Sequence, residues 1–148
     1  RTDERDVGAV LVVGHTGCDV VADAHERCLG SATGSHAGIE ARLEPIVEVV
    51  RRAVDAGLVE ATTPPRATRY RLVEYNVRRQ VQFLTDRLPD RTTVAGYVHD
   101  EDGAYSSFPG RTYLVALEDA VGTAAESRLP EDTLVPVASL LSPSPPRP

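Results

Sequence analysis

An imidazole and a thiol stand at the two ends of His15-Thr16-Gly17-Cys18, separated by two small residues. Nitrogen and sulfur donors are what zinc takes in tetrahedral sites, at about 2.0–2.3 Å. In a tight turn both would face one point in space. A histidine and a cysteine at this spacing are also common in purely structural roles, so their position in the fold must decide between the two readings. The spacing recurs at His25-Glu26-Arg27-Cys28, giving H-x2-C-x6-H-x2-C and suggesting a four-donor site. If residues 19–29 are helical, however, ten residues at 1.5 Å each put Cys28 about 15 Å from Cys18 along the axis, too far to share one ion. His25 and Cys28 then read as ordinary helix residues. A disulfide between Cys18 and Cys28 is available but unnecessary in an acidic domain of this size. Asp19 suits a helix start, where a carboxylate caps free N–H groups and favours the helix dipole. His36 sits in a loop and His99 beside a turn, and both read as solvated or hydrogen-bonded structural residues. No residue is assigned a catalytic role from the sequence.

The elements that would hold the donors come in an alternating series. Val7 to Val13 (VGAVLVV) is a short β-branched run ending in Gly14, the pattern of a strand buried on both faces of a parallel sheet. Residues 19–29 suit a short helix closed by Gly30, and a Ser/Gly/His loop follows to Gly38. Ile39, Leu43, Ile46, Val47, Val50 and Val54 recur at helical spacing, with Pro45 either starting or kinking the helix and Gly57 ending it. Thr62 to Arg66 reads as a Pro-rich loop. Val73, Val77, Val81, Leu84 and Leu88 make the clearest helical stripe. Thr92 to His99 reads as a strand, residues 100–103 (DEDG) as a turn, and Ala104 to Phe108 as its returning partner in a hairpin. Thr112 to Leu117 is a further strand candidate. The sum is an α/β domain with a mainly parallel sheet flanked by helices, over residues 1–141, followed by a Pro-rich tail at 142–148. Ligands of such sheets sit beyond the carboxyl ends of the strands, which is where His15 and Cys18 fall.

Composition narrows the function classes. A chain of 148 residues fits one domain, and no apolar run approaches the roughly 20 residues of a membrane span. Nothing in Arg1 to Asp6 resembles a secretory signal core, so the expected location is the cytoplasm. All 16 basic residues are Arg, against 22 acidic ones, for a net charge of −6. No basic run tracks a phosphate backbone, so nucleic acid is not an expected partner. An acidic, Lys-free surface suits a halophilic, haloarchaeal-like protein kept soluble in strong salt, although a GC-rich genome would produce the same Arg bias.

Three segments together carry a family resemblance. Val10-Leu-Val-Val-Gly-His-Thr-Gly-Cys18 resembles the zinc-binding strand and turn of β-class carbonic anhydrases. Glu74-Tyr-Asn-Val-Arg-Arg-Gln-Val81 resembles that family's long helix, and Val94-Ala-Gly-Tyr-Val-His-Asp-Glu-Asp-Gly103 its strand and turn, so that the likeness spans roughly residues 6 to 118 in order. The resemblance implies a zinc enzyme for the reversible hydration of carbon dioxide to bicarbonate, with His15 and Cys18 as metal ligands and pairing of subunits into a homodimer or higher even oligomer. Two departures stand out. The family's turn has Gly directly after the ligand Cys, whereas here Gly17 precedes Cys18 and Asp19 follows it. The family's first strand, with a further Cys ligand and an Asp-x-Arg pair, should lie tens of residues before His15. Asp3-Glu4-Arg5 imitates that pair, but Arg1 stands where the Cys would, and the nine residues between Arg5 and His15 are too few for a parallel crossover. The domain is therefore expected to be N-terminally incomplete. A truncated or degenerate non-catalytic homologue, and a small zinc-stabilised interaction domain using both HxxC pairs, remain alternatives.

Overall fold

The computed structural model describes residues 7–30 and 37–141, the side chains of 37–41 excepted. The loop histidine His36, the Asp3-Glu4-Arg5 segment and the Pro-rich tail therefore lie outside the described residues. Within them the α/β fold expected from the sequence is present. The strands are β1 (Ala9–His15), β2 (Thr93–Asp100), β3 (Arg111–Leu117) and β4 (Ala120–Val121); the helices are α1 (Asp19–Cys28), α2 (Ala37–Asp55), α3 (Pro65–Thr85) and α4 (Thr123–Glu126). They form one sheet in the order β1-β2-β3-β4. β1 pairs with β2 in parallel, from Ala9 opposite Thr93 to His15 opposite His99, and the two remaining pairings are antiparallel.

The three longer helices all lie in the crossover between β1 and β2, and α3 packs on the sheet. Its Val73, Val77 and Val81 are buried, and they meet the buried Val94 and Val98 of β2 and Val115 of β3 in one core with Val47, Val50 and Ala53 of α2. The close approach of α3 is bought at two strand positions without side chains. A Cβ at Gly96 would fall 2.7 Å from a Val81 methyl and 2.8 Å from one of Val77, and a Cβ at Gly14 would fall 2.7 Å from the other Val77 methyl. Real carbons do not approach so closely, and valine side chains have little rotamer freedom with which to yield.

Three expectations about elements need correction, and one alternative, the place of Pro45, is resolved. Helix α3 begins at Pro65, inside the expected loop, because proline at the first helical position gives up an N–H that would be unpaired anyway. Pro45 lies inside α2 and does not start it. The hairpin partner of β2 is Arg111–Leu117, and residues 104–108 are loop. Asp100 causes that: it is fully buried, and its two carboxylate oxygens accept the N–H groups of Ala104 (2.8 Å) and Tyr105 (2.9 Å), curling the chain where a strand would have to run straight. Finally, β1 is buried on one face only. Leu11 and Val13, on the face away from α3, are 62% and 64% exposed. On that face a second small core of Ala95, Leu114, Ala120 and Ala125 is covered by the chain after β3, and β1 lies beyond it at the sheet edge.

Candidate metal centre

His15 is the last residue of β1 and Cys18 the residue before α1, so the donors sit at the carboxyl end of a parallel strand, as expected. The link between them is a tight turn in which the Cys18 N–H donates to the His15 carbonyl across 3.3 Å. Thr16 anchors the turn. It is completely buried; its N–H donates to the His99 carbonyl of β2 (3.0 Å), and its hydroxyl accepts the N–H of Glu101 (2.9 Å). The turn is thus stitched to the end of β2 and the loop after it.

Glu101 is a neighbour that sequence reasoning passed over. Its Oε2 lies 3.1 Å from His15 Nδ1 and accepts the Gly17 N–H at 3.2 Å. Only the register of β1 on β2 brings residues 86 apart in sequence together, and no motif spacing reports such a contact. The following residue, Asp102, faces Arg66 and Arg69, each at 3.6 Å. It also accepts the Tyr70 phenol, which burial first and this bond second push above the usual range. Arg69 reaches on to Asp19 at 3.7 Å. Asp19 is therefore not the cap expected of it: Cys18 holds the N-cap position, and Asp19 is the first residue of α1, exposed, with the helix dipole and Arg69 as its partners.

The remaining candidates lie elsewhere. Cys28 packs against the core and its thiol donates to the Val47 carbonyl at 3.4 Å; burial raises its pKa, so it is less available as a thiolate. Both cysteines are free thiols. His25 lines a cavity of about 710 Å3 with Leu29, Val54, Val59 and Arg69; neither His15 nor Cys18 lines it. His99 is bonded through Nδ1 to the Thr112 hydroxyl at 2.9 Å. His25 and Cys28 lie in α1, where helix residues were expected, and His99 is hydrogen-bonded near the end of β2.

The donors suit zinc in kind, being an imidazole and a thiol on a turn that holds them close. In number they fall short: among the described residues no group of three His, Cys, Asp or Glu side chains is placed to hold one ion.

Comparison with known proteins narrows the class of this α/β sheet and its HxxC turn. The carbonic anhydrase family profile matches residues 2–96, about two thirds of the chain, and the chain belongs to that family. The match runs from before β1 through α3 into β2 and stops short of Glu101. Comparisons with curated proteins and with solved structures gave no significant match. No helix among the described residues is long and apolar enough to cross a membrane.

Proposed function

We propose that the protein binds zinc through His15 and Cys18 and in that form hydrates carbon dioxide reversibly to bicarbonate. The observation that carries this reading is the turn itself, stitched by Thr16 to β2 at the ligand-binding edge of a fold whose family is carbonic anhydrase. When bound, zinc supplies a Lewis acid that ionises water near neutral pH. The chain's own contributions are the two donors and the rigid turn that holds them. A catalytic zinc ordinarily takes three protein donors, so the third comes from outside the described residues, and the resemblance supplies a Cys on a preceding strand.

The reading extends to a homodimer or higher even oligomer, supported by the bare outer face of β1. It also takes the protein as cytoplasmic and salt-adapted, supported by the acidic, Lys-free composition.

Stopped-flow hydration of carbon dioxide on zinc-loaded protein tests the activity. The 148-residue chain alone should turn over little, and a version extended by a Cys-bearing N-terminal segment should turn over in a zinc-dependent manner. An extended, zinc-loaded protein without turnover overturns the catalytic reading and leaves the zinc-stabilised interaction domain. Failure to bind zinc in either form leaves a degenerate remnant.

A further inference from the structure

We infer that Glu101 is a positioning residue for His15: its carboxylate holds the ring in the Nδ1–H form and leaves Nε2 alone to face a metal shared with Cys18. This rests on the reading of His15 as a ligand, but its first consequence belongs to the metal-free protein.

An ionised carboxylate can only accept hydrogen bonds, so the imidazole nitrogen 3.1 Å from Glu101 Oε2 must carry the proton. In a neutral ring the other nitrogen then holds the lone pair. Left to water, imidazole side chains favour the opposite tautomer, so the contact selects the less common one. Both side chains are about half exposed, at 49% and 47%, and as a plain surface ion pair the contact would add little stability. Several features show instead a carboxylate set in place. The Glu101 N–H is tied to the buried Thr16 hydroxyl, and the Gly17 N–H donates to the same oxygen that meets His15. Asp102, the next residue, is held by Arg66 and Arg69. Gly17 leaves the space: a Cβ there would collide with Glu101 Oε2. That accounts for a glycine before Cys18. Glu101 does not complete a three-donor cluster, so its part is to orient a ligand from behind. Carboxylate partners of ligand histidines commonly change metal affinity by about 10- to 100-fold.

The test uses the metal-free, 15N-labelled chain at about pH 8, above the usual imidazole range. Long-range proton–nitrogen correlation reads the His15 tautomer, with His15→Ala identifying its signals. The parent and Glu101→Gln, which keeps an acceptor, should show Nδ1–H. Glu101→Ala and Gly17→Ala should revert mainly to Nε2–H, with folding checked by circular dichroism. Gly17→Ala removes no polar group and so guards against a misfolded Glu101→Ala. Chelator competition should then show zinc binding about 10- to 100-fold weaker in both Ala variants and closer to the parent in Glu101→Gln. An Nε2–H ring in the parent overturns the inference. So does zinc affinity unchanged in both Ala variants when His15→Ala abolishes binding. If His15→Ala binds zinc like the parent, the ligand reading fails, while the tautomer result still decides what Glu101 does to the ring.

Discussion

The phenol of Tyr105 donates a 2.8 Å hydrogen bond to the carboxylate of Glu74, which has no solvent exposure at all. Burial, then the Glu74 charge and this bond, push the Tyr105 phenol far above its ordinary range. The folded state therefore prefers the protonated phenol. Its stabilising effect is complete below about pH 10, where an unfolded tyrosine titrates, and is lost as pH rises from there towards the folded value, at up to about 1.4 kcal/mol per pH unit. Because the chain has no Lys, the side chains titrating in that window are tyrosines and two cysteines. Thermal melts should show no Tyr105-dependent change up to about pH 10 and then fall more steeply for the parent than for Tyr105→Phe as pH rises towards about 12. Equal slopes would show that the phenol does not carry the effect.

Glu74 also accepts the Arg78 guanidinium and, at 2.7 Å, the N–H of Leu140, so one buried carboxylate ties α3 to the C-terminal stretch. Glu74→Ala should cost about 3–5 kcal/mol in urea unfolding, since it leaves the Arg78 guanidinium without its buried partner. The chain near Ser139 to Leu141 should become sensitive to protease in the folded state. A loss under about 1 kcal/mol would mean that the network is dispensable.

Gly96→Ala should destabilise by about 1–3 kcal/mol, because the new methyl meets Val77 and Val81. Adding Val81→Ala should return part of the loss, a coupling visible in a double-mutant cycle. Gly8→Ala is the control, with nothing within 4 Å of its new carbon.

Zinc should raise the melting temperature of the metal-free chain, with a gain of about 2.7 kcal/mol at a hundred times the dissociation constant. His15→Ala and Cys18→Ser should lose that rise, and Cys28→Ser should keep it despite a lower starting point. A rise unaltered in the first two variants would sink the assignment.

The exposed Leu11 and Val13 predict self-association. Light scattering at several salt concentrations should give an even oligomer that persists or strengthens as salt screens the acidic surface. A strict monomer in high salt counts against it.

The main helices, β2 and the placing of His15 and Cys18 at a strand end were legible because they depend on local pattern. The valine stripe of α3 and the β-branched run of β1 state their periods within a dozen residues. What was not legible depends on partners far along the chain. The β1 run looked doubly buried because its composition is uniform; which face is covered depends on where the chain after β3 lies, and that chain uses a two-residue strand and a four-residue helix, too short to show any period. Glu101 read as turn chemistry in DEDG. Its meeting with His15 is set by strand register, to which sequence spacing is blind.

The parallel pairing of β1 with β2 also fixes an order of events. β1 leaves the ribosome first among these elements, and the strand it pairs with among the described residues follows only after α1, α2 and α3 have been made. At translation rates of about 5–20 residues per second, β1 waits several seconds or more unpaired. Contacts of such long sequence separation are closed late and slowly. The HxxC turn is thus synthesised early but acquires its Thr16 anchor on β2, and its contact with Glu101, only when the sheet closes. During that interval both edges of β1, and the Val10 and Val12 face that the fold partly covers, stand open to other nascent chains.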